Sequence, residues 1–270
     1  MEQIAKAINQ LGMFCGKRDV EKLITEHLQE TYGIKRADVM VLFGGSILAG
    51  GDVLADAMKN QIAEKYVIVG GAGHTTETLR QCVREEHPEL DVDGKPEAEV
   101  FQKYLNAVYN CHADYLEIKS TNCGNNITYF LELLKKNFIS FESIILCQDA
   151  TMQNRMDAGL RKCVSDEVTV INYASYRAEV ITDGSTLSYK DNIHGMWRME
   201  RYINLLMGEI PRLTDDENGY GPKGKDYIAH VDIPGEVETA FAHLKTVYGN
   251  QIREANPLYA SVKGNGVALT

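Results

Sequence analysis

Val39-Met-Val-Leu-Phe-Gly-Gly-Ser46 runs five apolar residues into two glycines and a hydroxyl. An unbroken apolar run this short fits a strand buried on both faces, the habit of parallel sheets covered by helices. Glycine follows where the chain must turn sharply or let another group approach its backbone. In open α/β folds, ligands bind at the carboxyl ends of such strands.

Outward from this stretch, strand and helix alternate. Strands are predicted at Val39–Phe43, Tyr66–Val69, Tyr115–Ile118, Ser143–Cys147 and Val168–Ile171, with helices near 51–64, 75–87, 96–111, 122–137 and 151–163. Strict alternation predicts an α/β fold with a doubly wound, mainly parallel sheet and helices on both faces. Residues 36–192 would form this domain. Residues 1–35 would add two amphipathic helices covering a sheet edge or face, striped by Ile4, Ile8 and Leu11 and by Val20, Leu23, Ile24 and Leu28, with Gly33 ending the second. Residues 193–270 would complete the same globule. They offer a helix over Trp197–Met207, a glycine-rich loop at 215–226 that is a flap or a mobile segment, and a helix over Pro234–Tyr248. A hairpin is expected around Thr182-Asp-Gly-Ser185, and fraying at 264–270.

Composition narrows the partners. No apolar run among the 270 residues approaches the roughly 20 needed to span a bilayer, and the first residues carry no export signal, so a soluble, cytoplasmic protein without a membrane partner is expected. The six cysteines lack C-x-x-C pairs and nearby histidines, which predicts reduced thiols and no metal site. A formal charge of −10 argues against nucleic acid, although backbone N–H groups can bind a small anion whatever the net charge.

The loops after the strands carry the candidate chemistry. Gly71-Ala-Gly73-His-Thr-Thr76 lacks the third glycine of the dinucleotide fingerprint, and neither glycine run ends in Gly-Lys-Ser/Thr, so neither NAD nor a P-loop is indicated. The loops instead offer donors for a phosphate or carboxylate: the N–H groups of Gly44, Gly45, Gly71 and Gly73, the hydroxyls of Ser46, Thr75, Ser120, Thr121 and Thr151, and the helix starts that follow. Ser120, Thr121 and Asn122 equally suit a helix cap. Asp149, His74 and Glu97 are candidate acids and bases, and Arg155 a candidate anion clamp. Asp149 would also serve as a cap, Glu97 as a favourable charge at a helix start, and Arg155 as half of an ion pair. Cys123 reads as a packing residue before a nucleophile, and Lys223 and Lys225 could fold over an anion or simply solvate their loop.

With these loops laid out, the chain resembles the family of domains of unknown function that includes SanA, ElyC and YdcF. The matching residues are Gly44-Gly45, Gly70-Gly71-x-Gly73-His74, Glu97-Ala98, Ser120-Thr121-Asn122-Cys123-Gly124-x-Asn126 and Asp149-x-Thr151-Met152-Gln153-x-Arg155. Trp197-x-x-Glu200-Arg201-Tyr202, Gly219-Tyr-Gly-Pro-x-Gly224-x-Asp226 and His230-Val-Asp232 look like its YdcF-like branch, for a coverage of roughly 36–245. The chain departs from the family at Asn125, where Glu is usual. The resemblance implies a Rossmann-like fold and a nucleotide-like small-molecule ligand, with S-adenosylmethionine a candidate. It leaves open a transferase or hydrolase on one side and a non-enzymatic sensor on the other. Asn126 joins the expected ligand-binding residues through it.

Overall fold

Alternating side chains along the central strand face two layers of core, one on each side of the sheet. The computed structural model describes residues 1–73 and 75–249. In chain order the elements are α1 (Glu2–Cys15), α2 (Thr25–Tyr32), β1 (Ala37–Phe43), α3 (Leu48–Lys59), β2 (Ala63–Val69), α4 (Thr76–Glu86), α5 (Glu97–Tyr109) and β3 (Tyr115–Glu117). There follow α6 (Cys123–Lys136), β4 (Ser143–Cys147), α7 (Gln153–Cys163), β5 (Thr169–Asn172), β6 (Val180–Thr182), β7 (Leu187–Tyr189), α8 (Met199–Leu213) and α9 (Gly235–Tyr248). Strands β1 to β5 form one all-parallel sheet in the order β3-β2-β1-β4-β5, and β6 and β7 form an antiparallel hairpin. The fold is α/β and Rossmann-like, with helical termini.

Val39, Val41 and Phe43 face one side of the sheet, where they pack with Ile127, Phe130 and Leu134 of α6 and Met156 and Leu160 of α7. Met40 and Leu42 face the other, against Leu54 of α3, Leu79 of α4, and Phe101 and Tyr104 of α5. Helices on both faces explain why the β1 run is apolar at every position. Each such burial contributes about 1.5–3 kcal/mol.

The amino-terminal helices depart from expectation. The apolar face of α1 meets α8 and α9 instead of the sheet, and Ile8, Leu11, Leu206, Met207, Val237 and Leu244 share a third core. The stretch after α1 reaches the sheet edge: Asp19 N–H donates to Asn172 O (2.9 Å) and Ala174 N–H to Lys17 O (3.0 Å), around an antiparallel bridge between Arg18 and Tyr173. That pairing covers the open edge of β5 and keeps the chain extended, so α2 starts only at Thr25. Val20 and Leu23 therefore reach the core from non-helical chain, while Gly33, at φ +72°, ends α2 as predicted.

Two other helix limits move for packing reasons. Helix α3, expected near 51, starts at Leu48 with Gly50 and Gly51 inside it; a methyl on Gly51 would sit 3.0 Å from the Tyr104 ring. Helix α8 continues beyond Met207 to Leu213 with Pro211 inside, burying Ile210 and Leu213 and carrying Glu209 into the interior. The 215–226 loop is a compact turn, not a flap. Asp215 accepts Lys223 N–H (2.7 Å), Asp216 accepts Asn218 and Gly219 N–H (both 2.9 Å), and Lys162 pairs with Asp226. Lys225 lies over the Tyr220 ring (5.1 Å), so it is engaged within the loop itself. The tail at 264–270 lies outside the described residues.

Candidate functional site

Strand β1 leads through α3 to β2 on one side, and its other neighbour β4 leads through α7 to β5 on the opposite side. The sheet thus reverses its winding between β1 and β4, the switch point at whose strand ends doubly wound sheets place their ligand crevice. The loops after β1 and β4 flank it, and those after β2 and β3 lie beyond β1.

Glu97 ties the first two loops together. Its Oε2 accepts Gly45 N–H at 2.7 Å, and its Oε1 accepts the Thr75 and Thr76 hydroxyls, both at 3.0 Å. A side chain at Gly44 would collide with that carboxylate, and one at Gly71 with the Ser120 carbonyl. The glycines at these two positions therefore admit neighbouring protein, not a ligand. Gly45 is held at φ +83°, which also favours glycine. Burial raises the Glu97 carboxyl above its ordinary range, against the opposing pull of the Thr76, Thr75 and Gly45 donors.

The same economy removes the predicted anion donors. Gly44 N–H donates to Val69 O (2.5 Å), Gly45 N–H to Glu97, Gly71 N–H to Ser120 Oγ (3.2 Å) and Gly73 N–H to Thr76 Oγ1 (2.7 Å). All four expected backbone donors are thus spent on joining the loops. Ser46 Oγ donates to Ser175 Oγ (3.1 Å), Thr121 Oγ1 to Asn125 Oδ1 (3.2 Å) and Thr151 Oγ1 to Asp149 (2.7 Å). Ser120 Oγ accepts from Gly71 and retains its own hydrogen.

Asp149 plays the corresponding part in the fourth loop. It is fully buried; Oδ1 accepts Thr151 N–H (2.9 Å), the Thr151 hydroxyl and Tyr176 O–H (3.0 Å), and Oδ2 accepts Trp197 Nε1–H (2.9 Å). Burial raises this carboxyl too, with the donors from Thr151, Trp197 and Tyr176 acting the other way. Beside it, Gln148 Nε2 donates to Gly44 O (2.9 Å), lacing the β1 loop to the β4 loop across the switch point. Gln153 Nε2 donates to Leu146 O and Asn172 Oδ1, both at 2.9 Å.

Arg155, one turn into α7, forms a buried bidentate pair with Glu209: Nε to Oε2 at 2.5 Å and Nη2 to Oε1 at 3.0 Å. Its role as an anion clamp is thereby reduced to Nη1, which has no hydrogen-bond partner among the described residues. Burial would lower the Arg155 pKa, but neighbouring Cys123 and Glu209 outweigh it and keep the guanidinium charged.

Helix α6 begins with a side-chain cap. Asn122 Oδ1 accepts Asn125 N–H (3.0 Å), and Asn122 Nδ2 donates to Asn125 Oδ1 (2.8 Å). Asn125 stands at the third helical position, where Glu or Gln completes a capping box, and its Oδ1 accepts from the Asn122 carboxamide and the Thr121 hydroxyl. Asn126 differs from its neighbours. The residue as a whole is 8% exposed, its carboxamide has no hydrogen-bond partner among the described residues, and the unpaired amide atoms keep contact with solvent. It lies one turn before Phe130, whose ring meets Phe43 edge-on (5.6 Å between centroids) at the end of β1. Asn126 is thus on the first turn of α6 with Cys123, which lies close enough to Arg155 to act on its charge.

His74 lies outside the described residues. The sequence did not point to Glu209, Gln148, Tyr176 or Trp197. Glu209 had a legible signal, a lone carboxylate in the apolar stripe of Leu205, Leu206, Ile210 and Leu213. Trp197 stood in the YdcF-like motif without a role attached, and Gln148 and Tyr176 had no signal, because their partners Gly44 and Asp149 lie far along the chain. Among the described residues, no cluster of three or more His, Cys, Asp or Glu side chains could hold a metal ion, and no helix is long and apolar enough to cross a membrane. Each of the six cysteines is unpaired. Compared with protein-family models, the chain matches none.

Proposed function

We propose that the chain is a YdcF-like cytoplasmic protein that holds an anionic, nucleotide-like small molecule, with S-adenosylmethionine a candidate, between the first turns of α6 and α7. The observation that carries this reading is Asn126: a carboxamide on the first turn of α6 that bonds to no group among the described residues and keeps contact with solvent, while Arg155 on α7 has one nitrogen, Nη1, in the same condition. Polar atoms that face solvent without a protein partner are free to bond a ligand and fix its orientation. Cys123 at the start of α6 lies close to Arg155 on the first turn of α7, and the positive ends of helices favour negative charge. The switch point between β1 and β4 is where doubly wound sheets bind ligands.

A transferase or hydrolase would draw its acid or base from this crevice. The occupancy of Glu97 by three donors and Asp149 by four favours the second reading, a metabolite sensor in which these carboxylates position the loops. Thermal-shift measurement with S-adenosylmethionine, nucleotides and sugar phosphates tests the ligand. A true ligand at about 100 times its Kd stabilises by roughly 2.7 kcal/mol, raising Tm by about 5 °C. Asn126→Ala should leave the Tm of the free protein within about 2 °C of wild type, since it removes an unpartnered amide, yet abolish most of the ligand shift. If none of these compounds raises the wild-type Tm, or if the variant responds like wild type, the reading fails.

A further inference from the structure

We propose that His194 is a pH-operated clasp that holds the strap at 190–198, and Trp197 with it, over the β1 loop. The strap joins β7 to α8 without helix or strand of its own. Three polar atoms of His194 fix it. The carbonyl oxygen accepts Ala49 N–H at 3.2 Å in the first turn of α3. Ring Nδ1 lies 2.7 Å from Asp52 Oδ2 on α3, and ring Nε2 lies 2.6 Å from Glu86 Oε2 at the end of α4. A neutral imidazole carries one N–H and would turn a lone pair toward one of these carboxylates. Only the imidazolium donates to both, so this geometry belongs to the protonated ring.

The surroundings reinforce that state. Asp52 Oδ1 accepts the Tyr104 and Tyr109 hydroxyls (2.5 and 2.8 Å), which hold the carboxylate toward the ring as an acceptor. The titratable groups facing His194 are Asp52 from α3, with Asp56 one turn on, Glu86 from α4, and Tyr104 and Tyr109 from α5. The His87 ring lies tilted against Tyr104 (5.6 Å between centroids), and His87 is placed to pair with Glu89. Among the described residues, no lysine or arginine forms an ion pair with His194 or with its two carboxylates. Partial burial lowers the His194 pKa, and the hydrogen bonds and charges of Glu86 and Asp52 more than reverse this, leaving it above the ordinary 6.5. A group raised in the folded state contributes its full stabilisation below the unfolded pKa and loses it as pH rises through the folded value. The clasp is therefore closed in acid and released by base.

Release has a defined target. Gly195 and Trp197 line a narrow cleft beneath the strap with Ser46, Leu48, Leu79 and Cys82. Trp197 also donates to Asp149, so the strap joins α3 and α4 to the β4 loop. This device rests on the strap's own contacts and holds whether or not the crevice binds a nucleotide-like ligand.

Trp197 is the chain's single tryptophan, so its fluorescence reads the strap directly. In wild type, raising the pH from about 6 to about 9 should shift the emission to the red and increase acrylamide quenching, with a midpoint above the unperturbed histidine value of about 6.5. His194→Gln should lack that transition and quench as the high-pH wild type does. Glu86→Gln should keep a transition at lower pH, because one carboxylate remains. Emission that stays constant over this range in wild type overturns the proposal. So does a transition with the same midpoint in His194→Gln, which would assign it to another group such as Asp149.

Discussion

Two buried carboxylates set the geometry of the crevice, and their chemistry follows from who donates to them. Glu97 and Asp149 both lie above their ordinary carboxyl range because burial outweighs their donors. A carboxyl raised in the folded state binds a proton that the unfolded chain has already released, so stability falls as pH rises from the unfolded value through the folded one. Glu97→Gln should consequently show a shallower loss of Tm than wild type between about pH 4.5 and pH 8, measured by calorimetry, despite a lower Tm at acid pH from one mispaired donor costing about 1–3 kcal/mol. Parallel curves would mean that Glu97 is ionised throughout. At this scale the sequence identified Glu97 and Asp149 but not their partners. Gly44 and Gly71 illustrate why: a glycine signals close approach without saying what approaches, and here it is Glu97 and the Ser120 carbonyl.

Helices α7 and α8 are joined by a buried ion pair and by packing of Ala158 and Leu213 in one apolar cluster. Arg155 and Glu209 are buried together, so removing one partner strands the other's charge. Arg155→Ala or Glu209→Ala should each cost about 3–5 kcal/mol in urea unfolding, while the paired replacement Arg155→Met with Glu209→Leu should cost far less. Equal losses in the double and single variants would contradict a stranded-charge origin. Element positions were largely legible: apolar runs placed β1, β4 and β5, and the Asp183-Gly184 turn signal placed the β6–β7 hairpin. The limits of α2, α3 and α8 were not, because each is set by a distant contact: the β5 edge for α2, the Tyr104 ring for α3, and Arg155 for α8. A proline at 211 reads as a stop only until the buried Glu209 beside it is known to have a partner.

The whole molecule is a doubly wound sheet whose terminal helices form a core of their own. Alternation of strand and helix predicted the class of sheet, but the order β3-β2-β1-β4-β5 is a matter of crossovers that no local stretch encodes. That order moves the candidate site. The glycine loops after β1 and β2 knit protein to protein, and the groups left open lie at the starts of α6 and α7. Asn126 is the sharpest of them. The side-chain NH2 resonances of Asn126, assigned by their absence in Asn126→Ala, can be followed in a 1H–15N correlation spectrum during titration with S-adenosylmethionine and with nucleotides. The account predicts that this pair shifts and saturates with the compound that stabilises the protein. A stabilising compound that leaves the Asn126 resonances unmoved would contradict it.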